Sequence, residues 1–249
     1  MSIETIGLSG EERERFHREG YLGPYAIGRP EAVREICARL EREVQPTPGP
    51  WAKHPDQMRH LDSAEVRGLV AHPAIVERLA GLYGADLACW RSNFFFKAPG
   101  GKEVPWHQDA EFWELDPPVN VTCWLALDDV TRENACMQIV PGSHKRIVPH
   151  VAAGQEMLFE KKADPKLVPL EKAIDVELKA GEFILFNERL LHHSEANRSA
   201  RWRKNMVIRY TVPFVHVPPL YEGYTLTMVR GEDRFNLNPS VALAELAAV

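Results

Sequence analysis

The chain has 249 residues, 45% of them hydrophobic, and a formal charge of -5 from 30 basic and 35 acidic side chains, enough apolar material for the core of one sizeable domain. With an acidic balance and no long basic block, nothing favours capture of nucleic acid or of an anionic membrane, and a small-molecule partner is expected. No segment approaches the roughly 20 apolar residues of a membrane span, the N-terminus lacks a signal-peptide run, and Cys37, Cys89, Cys123 and Cys136 show neither a C-x-x-C pair nor a secreted-scaffold spacing; a reduced, cytoplasmic setting is expected, with oligomeric state unspecified.

From the N-terminus, Ser9 and Glu12 form a capping-box pattern over EERERFHREG with Gly20 as the stop, which predicts a first helix. PEAVREICARLEREV sets Val33, Ile36, Leu40 and Val44 at helical spacing after Pro30 and predicts a second, ended by the Pro/Gly-rich loop QPTPGPWAKHP. SAEVRGLV and PAIVERLAGLYG read as two shorter helices, the latter turning Ile75, Leu79 and Leu82 towards a sheet. From Asp86 the period changes. LACWRSNFFFK, PWHQDAEFW, VNVTCWLALDD, CMQIV, IDVELKA, EFILFNER and KNMVIRYTVPFV are short β-branched and aromatic runs divided by turn residues, the pattern of a β-sandwich or barrel. The expected organisation is a single catalytic domain over 1–249, with a mainly helical annex over 1–85, a β core over 86–215 and a C-terminal segment over 216–249. Within the core, about 149–170 is an irregular, lid-like insertion.

His107 and Asp109 lie two residues apart in a strand-like context, so both side chains share a face and present an imidazole nitrogen and a carboxylate oxygen to one point, as metal ligands do. A third ligand must come from elsewhere, and the pair His192 and His193 is the best source. Two histidines and one carboxylate leave other coordination positions open, the facial arrangement of non-haem Fe(II) oxygenases.

WHQD at 106–109, CWLALDD at 123–129, ENACMQIVPGSHK at 133–145 and H-x-S-x-x-N followed by Arg203 occur in this order, and from about Asn93 onward the chain resembles the phytanoyl-CoA dioxygenase family of Fe(II)- and 2-oxoglutarate-dependent oxygenases. The resemblance implies a mainly β, cupin-like double-stranded β-helix, or jelly roll, with N-terminal helices. It implies Fe(II) held by His107, Asp109 and a distal histidine, 2-oxoglutarate and O2 as co-substrates, and a hydroxylated small-molecule substrate with release of succinate and CO2. It places an arginine about eleven residues after the distal histidine; counting back from Arg203 selects His192, which the H-x-S-x-x-N pattern also fits. Arg203 and Ser194 would then hold the distal carboxylate of 2-oxoglutarate, with Trp124 against the co-substrate. Relatives that halogenate replace the carboxylate at the Asp109 position, so its presence favours hydroxylation or another oxidation.

Other residues have simpler readings. His144 in PGSHK reads as a turn element, His193 as a residue pointing away from His192, and Phe94, Phe95 and Phe96 as core. Arg209 shares strand parity with Arg203 and rivals it for the co-substrate carboxylate; Asn93, Phe95 and Lys97 share a parity whose register is open. Glu111, Trp113 and Gln138 are candidate substrate contacts. A zinc or manganese cupin-type hydrolase or isomerase would also use His and Asp ligands but gives no role to an arginine at fixed distance from the third ligand, and a non-catalytic ligand-binding jelly roll would need no intact facial triad.

Overall fold

Side chains along the central strands alternate in direction, yet nearly all are buried, because helices pack on one face of a large sheet and a second sheet on the other. In the computed structural model, which describes residues 7–246, the chain runs α1 (Gly10–Glu19), β1 (Tyr21–Ala26), α2 (Pro30–Arg39), α3 (Ala64–Val70), α4 (Pro73–Tyr83), β2 (Leu87–Phe94), β3 (Val104–His107), β4 (Val121–Ala126) and β5 (Met137–Ile139). It continues through β6 (His150–Ala152), β7 (Lys161–Ala163), β8 (Ile174–Val176), β9 (Glu182–Asn187), β10 (His192–Ser194), β11 (Asn205–Thr211), β12 (Leu226–Arg230) and β13 (Ser240–Ala242). Seven strands form one sheet in the order β1-β9-β4-β11-β2-β12-β13, and β3-β10-β5-β8 form a facing sheet of four, giving the jelly roll.

The capping box is present: Glu12 N donates to Ser9 Oγ at 3.1 Å and Ser9 N to the Glu12 carboxylate at 2.8 Å, while Gly20 ends α1 at φ 82. Ile75 and Leu79 of α4 are fully buried, and Val121, Cys123 and Leu125 of β4 with Met206, Ile208 and Tyr210 of β11 complete that outer core. Trp124, Ile184, Phe186 and Val207 point the opposite way, into the space between the sheets. There the register across neighbouring strands sets two rungs, Arg91–Arg209–Thr122–Phe186 and Asn93–Val207–Trp124–Ile184. These rungs build the wall of the site.

Three expected boundaries move. The helical annex contains β1, which pairs antiparallel with β9 at the sheet edge; Gly23 and Pro24 disguise it as a loop, and an edge strand tolerates a proline that a central strand does not. The jelly-roll sheet does not end near 215, because β12 pairs with β2 and β13 with β12. The 149–170 stretch is not irregular throughout: β6 and β7 form a hairpin. Residues 1–6 and 247–249, the ends of the expected annex and C-terminal segment, lie outside the described residues. Among the described residues, no helix is long and apolar enough to cross a membrane.

Candidate active site

β3 supplies His107 and β10 supplies His192, and the two are direct cross-strand partners in the small sheet. Their ring centroids lie 4.0 Å apart. Asp109 is not on the strand, as the i, i+2 reading expected. The strand ends at His107 and a single 3-10 turn begins at Asp109, which swings the carboxylate back so that Oδ1 sits 3.5 Å from His107 Nε2 and 3.8 Å from His192 Nε2. One ligand atom from each of the three falls within 4.8 Å of the others, so the set could hold a metal ion.

The protonation pattern fits a metal. His107 Nδ1 donates to Pro105 O at 2.8 Å and His192 Nδ1 to Leu190 O at 2.9 Å, which fixes each tautomer and leaves both Nε2 lone pairs free. Burial, together with the neighbouring His107, pushes His192 down to about 3, so it is the neutral ligand form at ordinary pH. For Asp109 burial alone would raise the carboxyl, but the charge of Arg209 and the His107 contact outweigh it and hold the group well below the usual carboxylate range. Arg209 Nε lies 3.7 Å from Asp109 Oδ2, and Thr122 Oγ1 donates to the same oxygen at 3.3 Å.

A second feature lies in the same cleft, which is lined by the triad, Phe95, Trp124, Phe186, Ser194, Arg203 and Arg209. Arg203 is 1% exposed. Its Nη1 donates to Ala135 O at 2.7 Å, while Nε and Nη2 are buried without a partner. Ala135 offers that carbonyl from a left-handed turn at φ 67, held by Asn134, whose side chain accepts from Thr131 N and donates to Asp129 O. The guanidinium carbon lies 5.6 Å from the ring centroids of both Phe95 and Trp124. A buried cation with two idle donors beside a triad is a cradle for an anion that also reaches the metal.

The sequence and the fold have known relatives. A family model for phytanoyl-CoA dioxygenase matches residues 16–205. The chain belongs to the phytanoyl-CoA dioxygenase family. It is 32% identical over 142 residues to dioxygenase lolE1 of Epichloe uncinata, covering 56% of this chain and 52% of that protein, so the match spans about half of that relative's length. It is 29% identical over 241 residues to ectoine dioxygenase of Stutzerimonas stutzeri (strain A1501), covering 84% of this chain and 78% of that one. The fold superposes on CytC3 with Fe(II) and alpha-ketoglutarate with a TM-score of 0.74 and 26% identity, covering 95% of this chain and 94% of the other.

Three features of this family member escaped sequence reasoning. Lys97, outside β2, is 5% exposed and donates to Ser194 Oγ at 2.7 Å and to Glu195 O at 2.6 Å, beside Arg203; its parity was visible but its register was not. Gln108 in WHQD ties the insertion to the site, since its Oε1 accepts from Val148 N at 2.8 Å and its Nε2 donates to Arg146 O at 2.8 Å. Phe159, between β6 and β7, stands edge-on to His107 at 4.9 Å and lies 5.5 Å from Phe112, roofing the triad. His193 is turned away from the triad as expected, but it is buried, stacked on Trp106 at 4.9 Å and bonded to Glu103 at 3.1 Å. His144 sits in a turn with Nε2 3.2 Å from His17 O.

Proposed function

We propose that this protein is a non-haem Fe(II)- and 2-oxoglutarate-dependent dioxygenase that hydroxylates a small-molecule substrate, with His107, Asp109 and His192 holding iron and Arg203, Ser194 and Trp124 holding 2-oxoglutarate. The carrying observation is the pairing of a two-histidine, one-carboxylate set with the buried Arg203 guanidinium, whose Nε and Nη2 have no partner, in one cleft. A zinc hydrolase or isomerase leaves that guanidinium without a role, and a non-catalytic binder needs no intact triad of metal ligands. When bound, iron with 2-oxoglutarate supplies oxygen activation, with succinate and CO2 as products.

The protein's own groups bind, orient and exclude water. Arg203 offers two parallel N–H donors to a carboxylate, a match that a lysine ammonium cannot make. Because the Lys97 ammonium occupies a lone pair of Ser194 Oγ, the Ser194 hydroxyl is free to donate its own hydrogen into the cleft. Trp124 and Phe95 keep water from the ion pair. Four free, buried cysteines suit a reducing, cytoplasmic setting. The expected test outcome is O2-dependent conversion of 2-oxoglutarate to succinate that requires Fe(II) and stops when Zn(II) replaces it. Turnover supported by Zn(II) without O2 would overturn the reading.

Lys97 gives the co-substrate site a pH dependence. Burial first, then the charge of Arg203, pushes its ammonium down to about 7, against the opposing pull of Glu103 and Glu195. A bound dicarboxylate favours the charged form, so proton uptake accompanies binding above that pH. The affinity for 2-oxoglutarate is therefore expected to weaken as pH rises through about 7 to 9, and Lys97→Met to flatten the profile; an unchanged slope in Lys97→Met would assign the titration elsewhere.

The β6–β7 hairpin is proposed to close over bound substrate. Its tip is held by Lys161 Nζ to Glu111 Oε1 at 2.8 Å and by Leu158 N to Glu103 O at 2.8 Å. Such surface ties are weak, about 1 kcal/mol or less each, which lets the hairpin open for entry. Trypsin cleavage at Lys161 or Lys162 is expected to slow when Fe(II), 2-oxoglutarate and substrate are present without oxygen. Equal cutting rates would leave the hairpin no gating role.

A further inference from the structure

The inner rung that carries Arg209 also carries Arg91 as its direct cross-strand partner. Like charges facing each other across a sheet destabilise it, and here both are largely buried. Burial and the Arg209 charge push Arg91 down to about 9, with the exposed Asp56 and buried Asp109 offsetting in part. Both guanidinium groups gather around one indole: the Arg91 carbon lies 4.5 Å and the Arg209 carbon 5.1 Å from the Trp113 ring centroid. Arg91 Nε is satisfied by Gln57 Oε1 at 2.9 Å and Arg209 Nη1 by Asn93 Oδ1 at 3.0 Å.

Two donors in this cluster are idle. Arg209 Nε and Trp113 Nε1 are both buried without a hydrogen-bond partner. The nearest carboxylate to Arg209, Asp109, is the one committed to the metal in the oxygenase reading. Arg209 lines the cleft, and it stands six residues beyond Arg203 along the chain, roughly 20 Å of extended backbone, so the two arginines approach the triad from different ends. Once 2-oxoglutarate neutralises the Arg203 end, the Arg209 end keeps an excess of positive charge and unfilled donors in a water-poor site.

We propose that the substrate is a small molecule carrying a carboxylate, which the Arg209 guanidinium and the Trp113 indole N–H receive on the opposite side of the triad from Arg203. Arg91 acts as a positioning residue, holding Trp113 and reinforcing the field from behind it. The carboxylate then fixes which carbon of the substrate faces the metal. This rests on the oxygenase reading and adds the substrate's chemical class to it.

The test is calorimetric binding under argon to protein loaded with Fe(II) and saturating 2-oxoglutarate. The probes are the common L-amino acids and short-chain hydroxy acids, each beside its primary carboxamide. The visible absorption band of the Fe(II)–2-oxoglutarate complex is recorded first, because its absence would sink the oxygenase reading, whereas a normal band isolates the substrate question. At least one carboxylate is expected to bind at least about tenfold more tightly than its amide, the worth of one charge-assisted hydrogen bond. Arg209→Lys, which keeps a positive charge beside Asp109 but not the guanidinium fork, is expected to keep the band and lose most of that preference, and Trp113→Phe to weaken the carboxylate alone. No carboxylate binding, or amides binding equally, overturns the assignment. So does Arg209→Lys, which keeps a charge beside Asp109, if its preference for the carboxylate equals that of the parent, since the guanidinium then makes no contact with the substrate. Trp113→Phe with unchanged affinity removes the indole from the site.

Discussion

Alanine in place of His107, Asp109 or His192 is expected to abolish turnover, by at least about a thousandfold, because each removes one of three ligand atoms that converge within 4.8 Å. The three variants should differ in stability. His107→Ala and His192→Ala delete rings whose Nδ1 atoms bond only to nearby backbone carbonyls, and the strands that carry them keep their ladder. Asp109→Ala leaves Arg209 buried without its neighbouring carboxylate, which costs about 3 kcal/mol and should lower the melting temperature of that variant most. His193→Ala serves as the control for register, since that ring faces Glu103 and Trp106 rather than the triad, and its iron binding should stay near that of the parent. Iron lost from His193→Ala and kept by His192→Ala would place the third ligand one residue later.

Arg203 offers the second large effect, and here function and stability are expected to move in opposite directions. Arg203→Lys should raise the 2-oxoglutarate requirement about a hundredfold, since one ammonium cannot reproduce two parallel donors. Arg203→Met should bind 2-oxoglutarate no better, yet the empty protein should become more stable. The parent buries a guanidinium whose Nε and Nη2 have no partner, and burial already pushes its pKa down to about 10. Replacing it with an apolar chain between Phe95 and Trp124 relieves that cost by about 1 kcal/mol or more, a melting shift of roughly 2–4 °C for a chain of this size. Saturating 2-oxoglutarate should stabilise the parent and leave Arg203→Met unmoved. A variant that melts lower in both states would mean that the Ala135 contact, not the co-substrate, is what Arg203 is for.

The sequence made the helices legible because their signals are local: Ser9 and Glu12 cap α1, and Pro30 and Pro73 open α2 and α4. The β core was legible from its period, and the His107–Asp109–His192 cluster from a histidine-carboxylate doublet together with the family resemblance, whose spacing from Arg203 points to His192. What was not legible depends on contacts distant in sequence. Tyr21–Ala26 is a strand because β9 offers it an edge, and nothing in YLGPYA announces that. Asp109 reaches the triad through a turn, not through strand parity, although either route brings it near His107. Lys97 meets Ser194 ninety-seven residues later, and the Arg91–Arg209–Trp113 cluster exists only once β2, β11 and the 109–116 loop are folded together. Such clusters have no spacing rule to read, because the intervening chain can take many lengths.

The most direct measurement is an anaerobic titration of the metal-free protein with Fe(II) and 2-oxoglutarate, followed by visible absorption. A 2-oxo acid that chelates Fe(II) in a two-histidine, one-carboxylate site gives a weak charge-transfer band that neither component gives alone. The expected result is a band that requires both, saturates when iron and chain are equimolar, shrinks in His192→Ala and needs far more 2-oxoglutarate in Arg203→Lys. A solution that stays colourless with both present, while the protein remains folded and takes up iron, would contradict the account.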